Sequence, residues 1–131
     1  MKRVLFFIYG LFCHALFLVV YAWMAMFLGN FGLNFVTTID SPREVPLGRA
    51  VLIDLCLIAL FGFQHSVMAR PGFKKWWTQF VPQPIERSTF VLASCICMIA
   101  LLTLWQPIGF VVWDVTSPAI RVALHALFAI G

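Results

Sequence analysis

Residues 64–87 read QHSVMARPGFKKWWTQFVPQPIER and connect two long apolar segments of the chain. Four of the nine Lys and Arg residues lie in this connector: Arg70, Lys74, Lys75 and Arg87. After Pro71, apolar side chains follow the i, i+3, i+4, i+7 spacing of one helical face. The residues at this spacing are Phe73, Trp76, Trp77 and Phe80. The pattern predicts a short interfacial helix near residues 73–80, with its aromatic face in the membrane and its lysines in water.

Two interpretations of this connector remain open. In one, it is a lid or floor of a site at the membrane surface, and the aromatic residues are its anchors. In the other, it is a plain anchoring loop, because Trp and Lys are enriched at any membrane interface. The spacing of the residues fits both interpretations equally.

The composition is that of an integral membrane protein. Hydrophobic residues make up 63% of the chain and charged residues 11%, and the mean hydropathy is +0.98. A soluble domain carries roughly a quarter charged residues. The net charge of +4 would favour nucleic acid in a soluble protein. Here the basic residues border apolar segments, so we expect the lipid bilayer and its anionic headgroups as partner, and no nucleic acid.

Apolar stretches predict an all-α fold, a polytopic transmembrane helix bundle. A helix needs about 20 residues to cross the bilayer core. We predict about four spans, at residues 4–28, 48–69, 84–105 and 118–131, in one membrane domain covering residues 1–131. The first is too long for the apolar region of a signal peptide, so we expect it to be retained. The fourth contains only about 13 residues, short of the length that crosses, so we expect the chain to stop inside that span.

Polar residues inside apolar segments are functional candidates, because they are costly in a membrane. Asp54 is expected to be either a functional carboxylate or one that a neighbouring helix or the interface satisfies. His14 has no companion ligand in the sequence, so a hydrogen bond to a neighbouring helix is its expected role. His125 lies in the incomplete last span and is assigned no role. Four cysteines, at positions 13, 56, 95 and 97, show no zinc or disulfide spacing, so we expect reduced, buried packing residues and no metal site.

The ends of the connector bring further polar groups to one membrane face. They could line an entrance for a substrate or an anionic cytosolic cofactor, or a Glu86–Arg70 pair could simply hold the loop. The candidate entrance residues are Gln64, His65, Arg70, Glu86 and Arg87. No catalytic residue is assigned from the sequence.

The connector and its continuation, QHSVMARPGFKKWWTQFVPQPIERSTFVLAS, closely resemble the signature connector of the methanethiol S-methyltransferase family. These proteins belong to the isoprenylcysteine carboxyl methyltransferase-like and NnrU-like membrane proteins. Three further segments look like the N-terminal half of the same family. They are KRVLFFIYGLFCHALFLV, IDSPREVPLGRAVLIDLCL and WQPIGFVVWDV.

The resemblance implies S-adenosylmethionine as cofactor and methyl transfer to a small thiol, methanethiol, to give dimethyl sulfide. The family's cofactor-binding elements, an RHPxYxG-type segment and a later acidic helix, are expected beyond Gly131. The chain would then be the N-terminal half of a longer methyltransferase-type fold, as a fragment or as a truncated protein that needs the missing C-terminal half.

Two other functions remain open. One is a non-enzymatic NnrU-like protein accessory to nitrogen-oxide respiration, with His14 or His65 holding a metal or haem. The other is a structural helical subunit of a larger complex.

The distribution of Lys and Arg predicts a multi-pass protein, most simply of a bacterial inner membrane, with a cytoplasmic N-terminus. In a variant without the native cysteines, Lys74→Cys should be protected from an impermeant maleimide added to intact cells. Glu44→Cys, on the opposite side, should react. Labelling at position 74 and protection at position 44 would reverse the orientation.

Overall fold

The computed structural model describes residues 2–31, 38–111 and 113–131. Regular structure in these ranges is entirely helical, which confirms the predicted all-α fold. The helices are α1 (Lys2–Leu28), α2 (Leu47–Ala69), α3 (Pro71–Trp77), α4 (Gln83–Leu104) and α5 (Pro118–Ile130). Residues 32–37 of the predicted polar loop between the first two spans lie outside the described residues.

Three helices of the described chain, α1, α2 and α4, are long and apolar enough to cross a membrane. They correspond to the first three predicted spans, with ends within two residues of the predicted ones. The predicted fourth span forms α5, an apolar helix of 13 residues. That length is below the roughly 20 residues that cross the hydrocarbon core, as expected from the sequence.

Helix α4 is the central element, because it packs against both α1 and α2. Helices α1 and α4 run parallel. Near their starts the Tyr9 hydroxyl lies 3.2 Å from Thr89 Oγ1, and near their ends the rings of Phe27 and Trp105 meet edge to face at 5.8 Å. Helix α2 returns antiparallel to both.

Small side chains allow α1 to approach α4 closely. A Cβ added to Gly10 would lie 3.5 Å from Ser88 Oγ, and Cys13 and Cys95 are both buried. Small residues at such contacts are typical of membrane helices, whose association depends on van der Waals packing more than on apolar burial. Cys56, by contrast, is exposed, so the expectation that the four free thiols are all buried was wrong for this residue.

Large apolar side chains cover the outside of the bundle. Phe7 and Phe63 are each 71% exposed, and Val122 is 70% exposed. In water such a surface would aggregate, whereas lipid tails solvate it. The exposed surface therefore supports the assignment as a membrane protein.

The short helix of the connector differs from its prediction in position. It begins at Pro71 and ends at Trp77, whereas the spacing suggested residues 73–80. Arg70 is extended, with ψ of 139°, so proline starts the new helix at its preferred first position. Beyond Trp77, the Gln79 and Phe80 amides bond to carbonyls three residues back, so Phe80 lies in a tight turn.

A buried carboxylate ties α2 to the segment after α4. Asp54 is 4% exposed, and its Oδ1 accepts a 2.8 Å hydrogen bond from the backbone amide of Gln106. Trp105 is extended, so Gln106 lies beyond the helix. The expectation that a neighbouring segment satisfies Asp54 is confirmed for this oxygen.

Asp54→Ala should lower the thermal unfolding midpoint of the detergent-solubilised protein, because the Gln106 amide loses its side-chain acceptor at a cost of about 1–3 kcal/mol. Asp54→Asn keeps an acceptor oxygen and should lose less. Asp114→Ala, at an exposed carboxylate, is the matched control and should leave the midpoint unchanged. A midpoint of the Asp54→Ala variant equal to that of the wild-type protein would show that the hydrogen bond contributes nothing measurable.

Candidate functional site

A half-open cavity of about 290 Å³ lies between the three long helices. It exists because α1 and α2 each pack on α4 and leave a space between them. The lining residues come from all three helices. They are Phe17, Val20, Tyr21, Met24, Phe61, His65, Ser94, Cys95 and Met98. The walls are almost wholly apolar, and the imidazole of His65 is the strongest hydrogen-bonding group among them.

Aromatic rings hold His65 at this cavity. Its ring stacks on Phe61 of the preceding α2 turn, with centroids 5.5 Å apart and planes at 24°. Phe90 of α4 lies 5.1 Å away on a tilted plane. The imidazole Nδ1 is 3.4 Å from Ser94 Oγ, a long hydrogen bond whose direction depends on the tautomer. His65 is therefore oriented by two helices.

His65 lies near the end of α2 and faces the middle of α4. It is four residues before Ala69, the last residue of α2, and its side chain is exposed. Ser94 is the twelfth of the 22 residues of α4, about three helical turns from its start. The place of His65 at an entrance stays a prediction.

The other entrance candidates lie on α2, between α2 and α3, and at the start of α4. Glu86 is half-buried on the same α4 stripe as Phe90 and Ser94, because these residues are spaced by four. Arg70 and Arg87 are exposed. The amide of Gln64 is 3.1 Å from Met68 Sδ on its own helix, and its side-chain oxygen is buried without a partner among the described residues. An entrance formed by these residues stays a prediction.

The aromatic side chains of the connector form one cluster around Trp76. Its ring centroid lies 5.4 Å from those of both Phe73 and Phe80 and 5.9 Å from that of Trp77. Lys74 and Lys75 are exposed beside the cluster. The predicted spacing thus identified side chains that touch, although Phe80 reaches the cluster from the turn. The role of the cluster as an interfacial anchor stays a prediction.

Sequence reasoning missed the residues from α1 and α4 that complete the cavity. Phe17 and Tyr21 resemble ordinary lipid-facing residues, and Ser94 and Cys95 resemble ordinary small packing residues. One signal was present, because Glu86 and Ser94 are polar residues in an apolar segment. Together with Phe90 they lie on one face of α4. The sequence alone does not tell which helix this face meets.

The chemistry of the lining decides which ligands fit. S-adenosylmethionine carries an ammonium, a carboxylate and a sulfonium, and no charged partner for them lines this cavity. Among the described residues, no group of three or more His, Cys, Asp or Glu side chains could hold a metal ion. The cavity is suited to a small, largely apolar molecule with one polar atom for His65.

The fold fits a multi-pass helical membrane protein with a small apolar cavity between its three long helices. Along its whole length the chain is similar to proteins named methanethiol S-methyltransferase. It is 46% identical to that of Mycobacterium tuberculosis, covering 100% of this chain and 53% of the relative. It is 38% identical to that of Crocosphaera subtropica, covering 100% of this chain and 51% of the relative.

A third relative of the same name, from a Pseudomonas species, is 43% identical over 95% of this chain and 47% of its own length. The predicted resemblance is confirmed, and the chain is a homologue of the methanethiol S-methyltransferases. It spans about half the length of the curated relatives it matches. No family model matches the chain, and no solved structure does.

Trp76→Ala should loosen the connector, because the residue at the centre of the aromatic cluster loses its ring contacts. Each aromatic pair contributes about 0.5–1.5 kcal/mol, so tryptic cleavage after Lys74 or Lys75 in proteoliposomes should accelerate about tenfold. Trp76→Phe keeps a ring and should change the rate little. Trp113→Ala, at a tryptophan that is 68% exposed, is the control. A cleavage rate that Trp76→Ala leaves unchanged would mean that the cluster does not hold the connector in place.

Proposed function

We propose that this chain supplies the acceptor-thiol site of an S-adenosylmethionine-dependent thiol S-methyltransferase acting on methanethiol. The observation that carries the proposal is the apolar cavity containing His65, in a chain whose homologues carry that name. The proposal concerns the longer protein, because the chain spans about half the length of those homologues.

The polarity of the cavity suits such an acceptor. Its volume of about 290 Å³ leaves ample room for a one-carbon thiol. A one-carbon thiol partitions readily into lipid and needs few polar contacts. Apolar walls bind its methyl group, and one hydrogen-bonding group is enough to orient its sulfur.

The reaction is a displacement at carbon. The thiolate is the nucleophilic form of a thiol, so the site must favour loss of the thiol proton and hold the sulfur in line with the methyl group. Bound S-adenosylmethionine would supply an activated methyl group. This chain's residues bind and orient the acceptor and keep water from it.

The donor would bind outside this cavity. Its charged groups need polar partners, which the cavity does not offer. We place the main donor-binding elements in the additional length that the relatives possess, which the family resemblance puts in the missing C-terminal half. Gln64, Arg70, Glu86 and Arg87 are proposed to line the route between that part and the cytosol, with the N-terminus on the cytoplasmic side.

No specific observation favours the alternative of an NnrU-like accessory protein. His14 is exposed on α1, where its ring lies 6.3 Å from that of Phe17. His65 is held by aromatic rings and a serine. Neither arrangement among the described residues provides a second ligand for a metal or haem.

A chimera tests the proposed function. In the Mycobacterium tuberculosis relative, the region that matches this chain is replaced by residues 1–131, and membranes are supplied with methanethiol and S-adenosylmethionine. Dimethyl sulfide should form at a rate within about tenfold of the parent enzyme. A chimera that inserts as well as the parent enzyme but makes no dimethyl sulfide would contradict the proposal.

The isolated 131-residue chain is the matched control. Because the cavity has no partners for the donor's charges, titration calorimetry of the chain in detergent should show no saturable binding of S-adenosylmethionine. Micromolar binding would show that the donor site lies within these residues, which would contradict its placement in the additional length.

A further inference from the structure

We propose that His65 is a catalytic residue that accepts the proton of the bound thiol, with Ser94 as a positioning residue that sets the tautomer of its ring. This inference rests on the proposed thiol methyltransferase function and assigns a role at the same cavity. It concerns residues of two helices that the sequence alone did not bring together.

The position of His65 supports contact with a cavity ligand. The residue lines the cavity and remains exposed, although it contacts Phe61, Phe90 and Ser94. One ring nitrogen faces Ser94 at 3.4 Å. The other, Nε2, has no hydrogen-bond partner in residues 2–31, 38–111 and 113–131, and the proposal assigns it to the ligand. An ionisable group inside a membrane protein is costly to keep, so a role in the site accounts for its presence.

Two phenyl rings fix the plane of the His65 ring. The ring centroids of Phe61 and Phe90 lie 5.5 Å and 5.1 Å from that of the imidazole. The imidazole stacks on Phe61 with planes at 24°, so these contacts restrict the directions in which its two nitrogens point.

The contact with Ser94 is proposed to favour one tautomer of the His65 ring. When Nδ1 carries the hydrogen and donates it to Ser94 Oγ, the lone pair of Nε2 is free to accept a proton. Without Ser94, no side-chain partner at this position would distinguish the two tautomers. A serine is therefore expected to raise the fraction of the tautomer that can act as a base.

The proposed step balances in atoms and charge. The S–H bond of the thiol breaks, its proton joins Nε2 of His65, and the electron pair stays on sulfur as a thiolate. The thiolate then forms a new S–C bond while the S–C bond of the sulfonium donor breaks, so two neutral thioethers and one imidazolium result. The imidazolium returns its proton to water before the next cycle.

Other polar groups of the cavity are less suited to this role. Cys95 is 3% exposed at the α1–α4 contact, and its thiol binds protons far more weakly as an acceptor than imidazole does. The hydroxyl of Tyr21 and that of Ser94 are poor bases near neutral pH. Imidazole is the cavity group whose proton affinity suits physiological pH.

The test uses the 131-residue chain in lipid nanodiscs with ¹⁵N-labelled histidine and ¹³C-labelled methanethiol as the probe. The ¹⁵N shifts of an imidazole report its tautomer and protonation, and His65→Gln identifies the signal of His65. Methanethiol should shift the Nε2 signal of His65 saturably and leave those of His14 and His125 unchanged. Ser94→Ala should change the tautomer ratio before any thiol is added, whereas Ser88→Ala should not.

Each outcome decides between the two proposals. Saturable methanethiol binding with a His65 response supports both, and His65→Gln should then weaken binding about tenfold, as expected for one lost hydrogen bond. Saturable binding without any His65 response overturns the role of His65 and leaves the acceptor site standing. Equal shifts of all three histidines, or no saturable binding, would overturn the acceptor site together with the role of His65.

Discussion

Two polar contacts link α2 to α4 and the segment after it, and they set how these helices meet, because a polar group between apolar helices is costly when it lacks a partner. Asp54 on α2 finds the amide of Gln106 just beyond α4, and His65 on the same helix finds Ser94 on α4. These two contacts fix the antiparallel register of α2 along its neighbour. The spans contain few polar residues, so each polar contact excludes many alternative registers of α2 along α4. A shift by one turn would leave a polar group unpaired in hydrocarbon.

The central position of α4 produces the cavity. Because α1 and α2 each pack on α4, their facing side chains meet across a space that α4 closes on one side. Bulky residues such as Phe17 and Phe61 stand at the sides of this space, and the smaller Ser94 and Cys95 form its base. The same arrangement presents an imidazole to an apolar volume, which is what the proposed thiol site requires.

Much of the fold could be predicted from the sequence because it depends on local quantities. Apolar length identified the spans, and the prolines at positions 71, 84 and 118 marked helix starts to within two residues. The spacing from Phe73 to Phe80 identified rings that touch. The end of α3 was predicted too late, because the turn after Trp77 keeps Phe80 near the cluster without continuing the helix.

The candidate site was only partly predictable, since it depends on contacts between distant segments. His65 was singled out from its place in an apolar segment, but its partner is 29 residues away. Asp54 bonds a residue 52 positions away. Such pairings follow from the register and rotation of whole helices, which hydropathy does not encode. The cavity residues of α1 carry no mark in the sequence that distinguishes them from residues facing lipid.

The parallel course of α1 and α4 imposes an order on assembly. Tyr9 and Thr89 are 80 residues apart, and the chain must cross the membrane and return through α2 before α4 can enter beside α1. Until α4 inserts, the face of α1 that carries Gly10 lacks the helix against which it packs. Helices α1 and α2 also lack the helix that joins them. During synthesis the cavity therefore forms in one late step, when α4 inserts beside α1 and α2, which are already in the bilayer.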